Sequence, residues 1–436
     1  MPNSGATVIG AGLAGCEAAY QLAKRGIHVT LYEMKPHKKS PAHTSDAFAE
    51  LVCSNSLRSD RLQNAVGLLK EELRRFDSLI IRAADATRVP AGGALAVDRE
   101  AFAEFVTNTL IAHPNIRIVH EEITDFPDLP AIIATGPLTD GKLYAAIENL
   151  TGAPLHFYDA AAPLVEASSL DMNIVFRASR YERGADYLNC PMNKEEYNAF
   201  YEALIGAQTV ELHAFETPQV FEGCMPVETM AKRGEKTLLF GPLKPVGLYD
   251  PRREGRAHAV VQLRQDNAAG TLYNLVGFQT NLTFPEQRSV FHMIPGLENA
   301  EFARYGVMHR NTFLSSPGML HWDYSMHTRP GLYFAGQITG VEGYVESAAS
   351  GLVAGVNLAR CLKGFPPLDF TPQTATGALA HYVSSYAGGD FQPMNVTYGI
   401  LKPIKNAPRN KQQRYEMLAA RALETIEALV RDDASL

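Results

Sequence analysis

Two glycine-rich signatures stand near opposite ends of the chain, and together they require a fold that closes on one ligand from both termini. The first is T-V-I-G-A-G-L-A-G at Thr7 to Gly15. Its apolar run Ala6 to Ile9 reads as a buried parallel strand. Gly10, Ala11, Gly12, Leu13, Ala14 and Gly15 then turn the chain tightly into a helix predicted over Leu13 to Arg25. Gly12 lets backbone approach a pyrophosphate, and the helix N-terminus offers it free N–H groups and partial positive charge. Gly26 fits the position where such a helix stops. The strand predicted over Ile27 to Tyr32 delivers Glu33 to the place where a carboxylate accepts hydrogen bonds from an adenosine ribose. The glycines alone are a weak signal. Strand, helix, second strand and terminal acid in register predict a dinucleotide site, without choosing between NAD and FAD.

The second signature, L-Y-F-A-G-Q-I-T-G-V-E-G-Y-V-E-S-A-A-S-G at Leu332 to Gly351, points to FAD. Leu332 to Ala335 reads as a strand, Gly336 and Gln337 open a glycine-punctuated loop, and Tyr344 to Cys361 reads as a helix with an apolar stripe. Ala348, Ala349, Ser350, Gly351 and Ala354 are small enough for something flat to lie against that helix. Its N-terminus favours the negative charge of a reduced flavin ring. A third piece, A-I-I-A-T-G-P at Ala131 to Pro137, is a strand running into a tight turn. Each piece alone fits an ordinary core strand or packed helix; in this order they predict an α/β flavoprotein with a Rossmann-like FAD-binding domain.

Composition narrows the class. The 436 residues include 46% hydrophobic side chains, enough for a large core without staples. The five cysteines (Cys16, Cys53, Cys190, Cys224, Cys361) form no C-x-x-C pair, and Met1 to Ala6 leads straight into the first strand. No disulfide framework, metal site or signal peptide is expected, and the expected compartment is a reducing cytoplasm. No apolar run approaches the roughly 20 residues that span a bilayer. A formal charge of −7 argues against a globally basic nucleic-acid binder but leaves room for a local patch.

The flavin pieces assign residues 1–153 and 304–436 to a discontinuous FAD-binding domain, with 154–303 inserted as a mixed α+β substrate domain. Asp98 is predicted to cap a helix to Ala112, followed by a strand at Ile116 to His120. Within the insertion, Thr237 to Phe240 and Ala259 to Leu263 read as extended. Gln412 to Arg431 reads as a terminal amphipathic helix. Cys16 and Cys361 read as small buried hydrophobes and Cys190 as a structural loop residue. Cys53, in E-L-V-C-S-N-S-L-R-S, precedes Ser54, Asn55, Ser56 and Arg58, donors able to stabilise a thiolate. Cys224, in F-E-G-C-M-P-V-E, lies in a Gly/Pro turn suited to presenting sulfur on a loop tip.

These segments, with A-V-V-Q-L-R-Q-D at Ala259 to Asp266, Y-N-L-V-G-F-Q-T at Tyr273 to Thr280 and Y-G-V-M-H-R-N-T at Tyr305 to Thr312, resemble the family of folate- and FAD-dependent tRNA (uracil-5-)-methyltransferases. The resemblance runs from about Ala6 to about Pro403. It implies methylation of carbon 5 of a T-loop uridine, with methylenetetrahydrofolate supplying the carbon, FAD bound, and NADPH or NADH as reductant. Carbon 5 of uracil is a poor nucleophile until a thiolate adds at carbon 6, so a cysteine is required close to the base. The resemblance makes Cys224 the candidate attacking thiol and Cys53 a second essential thiol near the flavin, with the two roles exchangeable. For the base that removes the carbon 5 proton, Glu342, Glu346 and His309 are weak candidates. Contacts to the tRNA T-arm are expected among Lys35, Lys38 and Lys39; Arg252, Arg253 and Arg256; and Lys402, Lys405, Arg409, Lys411 and Arg414. Two other functions fit the glycine signatures: a wobble-uridine-modifying flavoprotein like the longer MnmG (GidA) proteins, and a non-catalytic flavin-loaded RNA-binding or redox-sensing protein.

Overall fold

The structure is a computed structural model that describes residues 5–40, 42–152, 155–160, 162–182, 184–210, 225–250, 252, 255–306, 308–388 and 391–433, with backbone alone at 155–160 and 308–310. Its organising layer is a five-stranded sheet in the order Leu332–Phe334, Ala131–Ile133, Ala6–Ile9, Val29–Glu33, Ile116–His120. Every pairing is parallel, with Thr7 opposite both Thr30 and Ala131. Parallel strands are buried on both faces, which is why these runs are apolar throughout rather than alternating. The strand of the second signature lies beside Ala131–Ile133, so the two glycine-rich turns open at the same edge of one sheet.

The first helix spans Leu13–Lys24, with Arg25 as its cap and Gly26 at φ 79° just beyond. It crosses the Tyr344–Leu362 helix with the two backbones in close approach. A methyl group on Gly351 would sit 2.2 Å from Ala14 O, and one on Gly355 2.7 Å from Ala18 O. The small-residue stripe expected to face a flat ligand is therefore filled at Gly351 by the first helix, and Ala348, Ala349, Ser350 and Ala354 are buried in the same core. Close helix packing and close ligand approach call for the same small residues, so sequence could not separate them.

A second, six-stranded antiparallel sheet runs in the order Phe176–Arg177, Tyr187–Met192, Ala259–Gln265, Leu272–Leu275, Leu164–Glu166, Phe302–Arg304. It has its own apolar core, including Leu188, Phe200, Val261, Phe278 and Phe291. Cys190 is not in a loop: it is a fully buried member of the Tyr187–Met192 strand. Thr237–Phe240 is a short helix rather than a strand, ended by Gly241, with Leu238 turned into the core. Cys361 is exposed, whereas Cys16 is buried as expected. A three-stranded sheet, in the order Ser56–Ser59, Ala94–Val97, Arg88–Val89, meets the six-stranded one: Asn55 Nδ2 donates to Val97 O and to Gln265 O, each at 2.9 Å, and Ala268 N donates to Asp98 Oδ2 at 2.8 Å.

Candidate flavin cleft and thiol site

A cleft of about 1240 Å³, measured out to solvent, runs along the edge where the glycine-rich turns open. Its walls include Gly10 to Ala14, Glu33, Gly136, Gly336, Gln337 and Tyr344. A methyl group on Gly12 would meet no protein atom within 4 Å, so the space beside this glycine at the helix N-terminus is open. Gly15 is different: a methyl there would lie 1.8 Å from Gly10 O, and the residue exists to let the turn fold back on the helix. Gly10 has φ 95° and lies against Ala134 O. Glu33 is buried, with Oε2 accepting from Ala11 N at 2.7 Å and Oε1 from Lys35 N at 3.0 Å. A carboxylate has about four acceptor positions, so these two bonds fix its orientation and leave capacity for ribose hydroxyls.

On the opposite wall, Gly336 has φ 86° and its N–H donates to Ser350 Oγ at 2.7 Å. Gln337 Nε2 donates to both oxygens of Glu342 at 3.0 Å, which orients the loop preceding Tyr344. Tyr344 then reaches the Cys53 segment. Its phenolic oxygen accepts from Cys53 N at 2.9 Å and from Ser54 N at 3.2 Å, and it lies 3.0 Å from Cys53 Sγ. With both lone pairs facing N–H groups, the phenol directs its own proton at the sulfur. Burial raises the Tyr344 pKa well above that of an ordinary phenol, so this proton stays in place at neutral pH.

The donors expected to surround the sulfur have other partners. Ser54 Oγ accepts from Arg264 Nη2 at 2.6 Å, and Asn55 Oδ1 accepts from Arg264 Nε at 3.0 Å. Arg58 pairs with Glu346, whose Oε1 also accepts from Val396 N at 3.0 Å. Sequence reasoning missed Tyr344 and Arg264. Tyr344 stands inside the second signature, but nothing in the spacing joins it to a cysteine 291 residues away.

The Glucose inhibited division protein A family model matches residues 5–366. Over 426 residues the chain is 60% identical to the methylenetetrahydrofolate–tRNA-(uracil-5-)-methyltransferase TrmFO of Bacillus licheniformis, covering 97% of this chain and 98% of that one. The chain belongs to the TrmFO family, within the wider GidA family. The TrmFO protein of Bacillus cereus is 59% identical over 432 residues, covering 99% of this chain and 100% of its own. Aquifex aeolicus GidA shares the fold, with a TM-score of 0.71 at 15% identity, and the match covers 99% of this chain and 74% of that one.

The residues that the TrmFO resemblance singled out are unevenly placed. Cys224 and Arg253 lie outside the described residues, as does the side chain of His309. Cys53 stands beside Tyr344 at the wall of the cleft, while Glu342 and Glu346 are held by Gln337 and by Arg58. Of the basic groups, Lys35 is buried with its Nζ on Ala47 O, Lys38 pairs with Glu122 at 2.7 Å, and Lys39 pairs with Asp46 at 2.7 Å. Arg252 clamps Asp250 and the carbonyls of Met172, Ile174 and Val175. Arg256, Lys402, Lys405, Arg409 and Lys411 are exposed. Among the described residues, no helix is long and apolar enough to cross a membrane.

Proposed function

We propose that this protein transfers the one-carbon unit of methylenetetrahydrofolate to carbon 5 of a uridine in the tRNA T-loop, giving 5-methyluridine. Identity of 60% along nearly the whole chain to a protein of that name supports the reaction. The observation that carries it to particular atoms is Cys53 Sγ at 3.0 Å from a buried phenol at the wall of a dinucleotide cleft.

FAD fits this cleft by its chemistry. Gly12 leaves open space beside the N-terminus of the Leu13–Lys24 helix where a pyrophosphate would be held, Glu33 would accept from the ribose, and Gly336 and Gln337 line the far wall. When bound, reduced FAD supplies the reducing equivalents by which a methylene becomes a methyl. The chain's own task is to activate the base. A thiolate, assigned to Cys224, adds at carbon 6 of uracil, and the electron pair of the broken double bond moves to the ring as an enolate that makes carbon 5 nucleophilic. The Tyr344 hydroxyl orients the Cys53 sulfur by hydrogen bonding, as a positioning residue. NADPH or NADH is the proposed reductant. The 154–303 insertion is the proposed substrate domain, with Arg256 and the 402–411 surface as phosphate contacts, and cytoplasm is the proposed compartment.

The test is nucleoside analysis of an unmodified tRNA transcript incubated with the protein, methylenetetrahydrofolate and NADPH. T-loop 5-methyluridine is expected from wild type and none from Cys53→Ala, which retains its flavin. Wobble-position modification, or full activity in Cys53→Ala, contradicts the reading.

A further inference from the structure

Arg304 ends the Phe302–Arg304 edge strand. Its guanidinium makes no hydrogen bond or ion pair with any described residue, yet its Nε and Nη2 are closed off from solvent. Arg99 has an Nη2 in the same condition, although its Nε reaches Asp266 at 2.9 Å and its Nη1 reaches Leu51 O at 2.5 Å. Across the six-stranded sheet Arg304 stands opposite Leu164, Leu164 opposite Asn274 and Asn274 opposite Arg264, so Arg304 and Arg264 share one row, and Arg304 feels the charges of Arg99 and Asp266. Arg264, only 8% exposed, feels Asp266, Arg99 and Tyr344 as well. Among the described residues Arg99 alone pairs with Asp266, and Arg264 is held by Ser54 and Asn55, so the Arg304 guanidinium and the Arg99 Nη2 are left without an acceptor. Leaving buried charged donors unpaired carries the full desolvation penalty, so the arrangement calls for an anionic acceptor.

We propose that Arg304 and Arg99 bind a carboxylate of the glutamyl tail of the folate substrate. The inference rests on the folate reading given above. Guanidinium forks match the two coplanar oxygens of a carboxylate. Depth favours a slender small molecule over an RNA phosphodiester, since the Arg99 side chain is 14% exposed and Arg264 is still deeper. Tyr344 supplies the span: it lines the flavin cleft, and its hydroxyl stands on the Cys53 segment that Arg264 and Arg99 hold. A ligand with a flat ring system in the cleft and a carboxylate on an extended arm fits that layout.

The experiment compares tetrahydrofolate with tetrahydropteroate, which lacks the glutamate, by equilibrium binding to the flavin-loaded protein without RNA, and the corresponding methylene derivatives by KM. Wild type is expected to favour the glutamylated form roughly 10- to 100-fold, the range of a charge-assisted contact. Arg304→Gln, which leaves Arg99 in place, is expected to lose most of that preference, with unchanged KM for tRNA and unchanged flavin content. It should fold, because its guanidinium has no partner to lose. Retention of the preference in Arg304→Gln overturns the proposal, as does a raised KM for tRNA in its place. A wild type that discriminates between the two forms but makes no 5-methyluridine contradicts the function and leaves the carboxylate site standing.

Discussion

Gly12 and Gly15 stand three residues apart in one fingerprint and face opposite demands. The space beside Gly12 is empty of protein, so Gly12→Val should fold with stability within about 1 kcal/mol of wild type while losing FAD, because the new side chain fills the approach to the pyrophosphate. Gly15→Ala should fail to give soluble protein, since its methyl would stand 1.8 Å from Gly10 O. Flavin absorbance and thermal melting of the purified variants check both; a yellow, fully loaded Gly12→Val would remove the cleft from the account. Gly15 was legible because the turn leaves no room for a methyl there, whereas Gly12, at φ −76°, is demanded by no backbone conformation and was legible only through the spacing of the fingerprint. The partners of Cys53 were not legible. Ser54, Asn55 and Arg58 are its chain neighbours, yet they turn to Arg264 and Glu346, and the sulfur instead meets a tyrosine that tertiary folding brings from the second signature.

Among the elements, the helix Ala65–Arg75 shows how buried polar groups tie layers together. Glu72 accepts from Ala375 N at 2.7 Å and from Thr376 N at 2.8 Å, supplying the N-terminus of the Ala375–Ser385 helix with an acceptor. Lys70 is fully buried and donates to Leu57 O at 2.8 Å and Ser59 O at 2.7 Å, holding the Ser56–Ser59 strand that follows Cys53. Both acceptors are neutral, and burial lowers the Lys70 pKa from 10.5 to about 7. A depressed lysine pKa means that the folded state disfavours the charged form. The penalty is therefore full below about pH 7 and is relieved as pH rises toward 10.5. Within that window this group adds up to ~1.4 kcal/mol of stability per pH unit. Lys70→Met should be less stable at pH 9.5, where two carbonyls lose their donor, and should lack this upward slope between pH 7.5 and 9.5 in denaturant titrations. Equal slopes in variant and wild type would contradict the assignment. The long periodic elements matched expectation within a residue or two, as at Tyr344–Leu362 and the terminal helix Lys411–Asp433. Thr237–Phe240 did not, because three apolar residues after a threonine carry no period and packing of Leu238 decides their state.

For the whole molecule, the sheet order places chain segments more than 300 residues apart around one cleft, and the second sheet carries arginines to the Cys53 side of it. The cleft was legible because both signatures belong to the same sheet edge. The arginine cluster was not, since it forms only where two sheets meet. This assembly is built to turn a folate-borne methylene into a methyl on tRNA. The most direct measurement supplies methylenetetrahydrofolate labelled in its methylene carbon, in parallel with labelled S-adenosylmethionine, and follows label into tRNA 5-methyluridine with and without reductant. Label is expected from the folate only, and only with reductant present. Label from S-adenosylmethionine in protein stripped of flavin would contradict it.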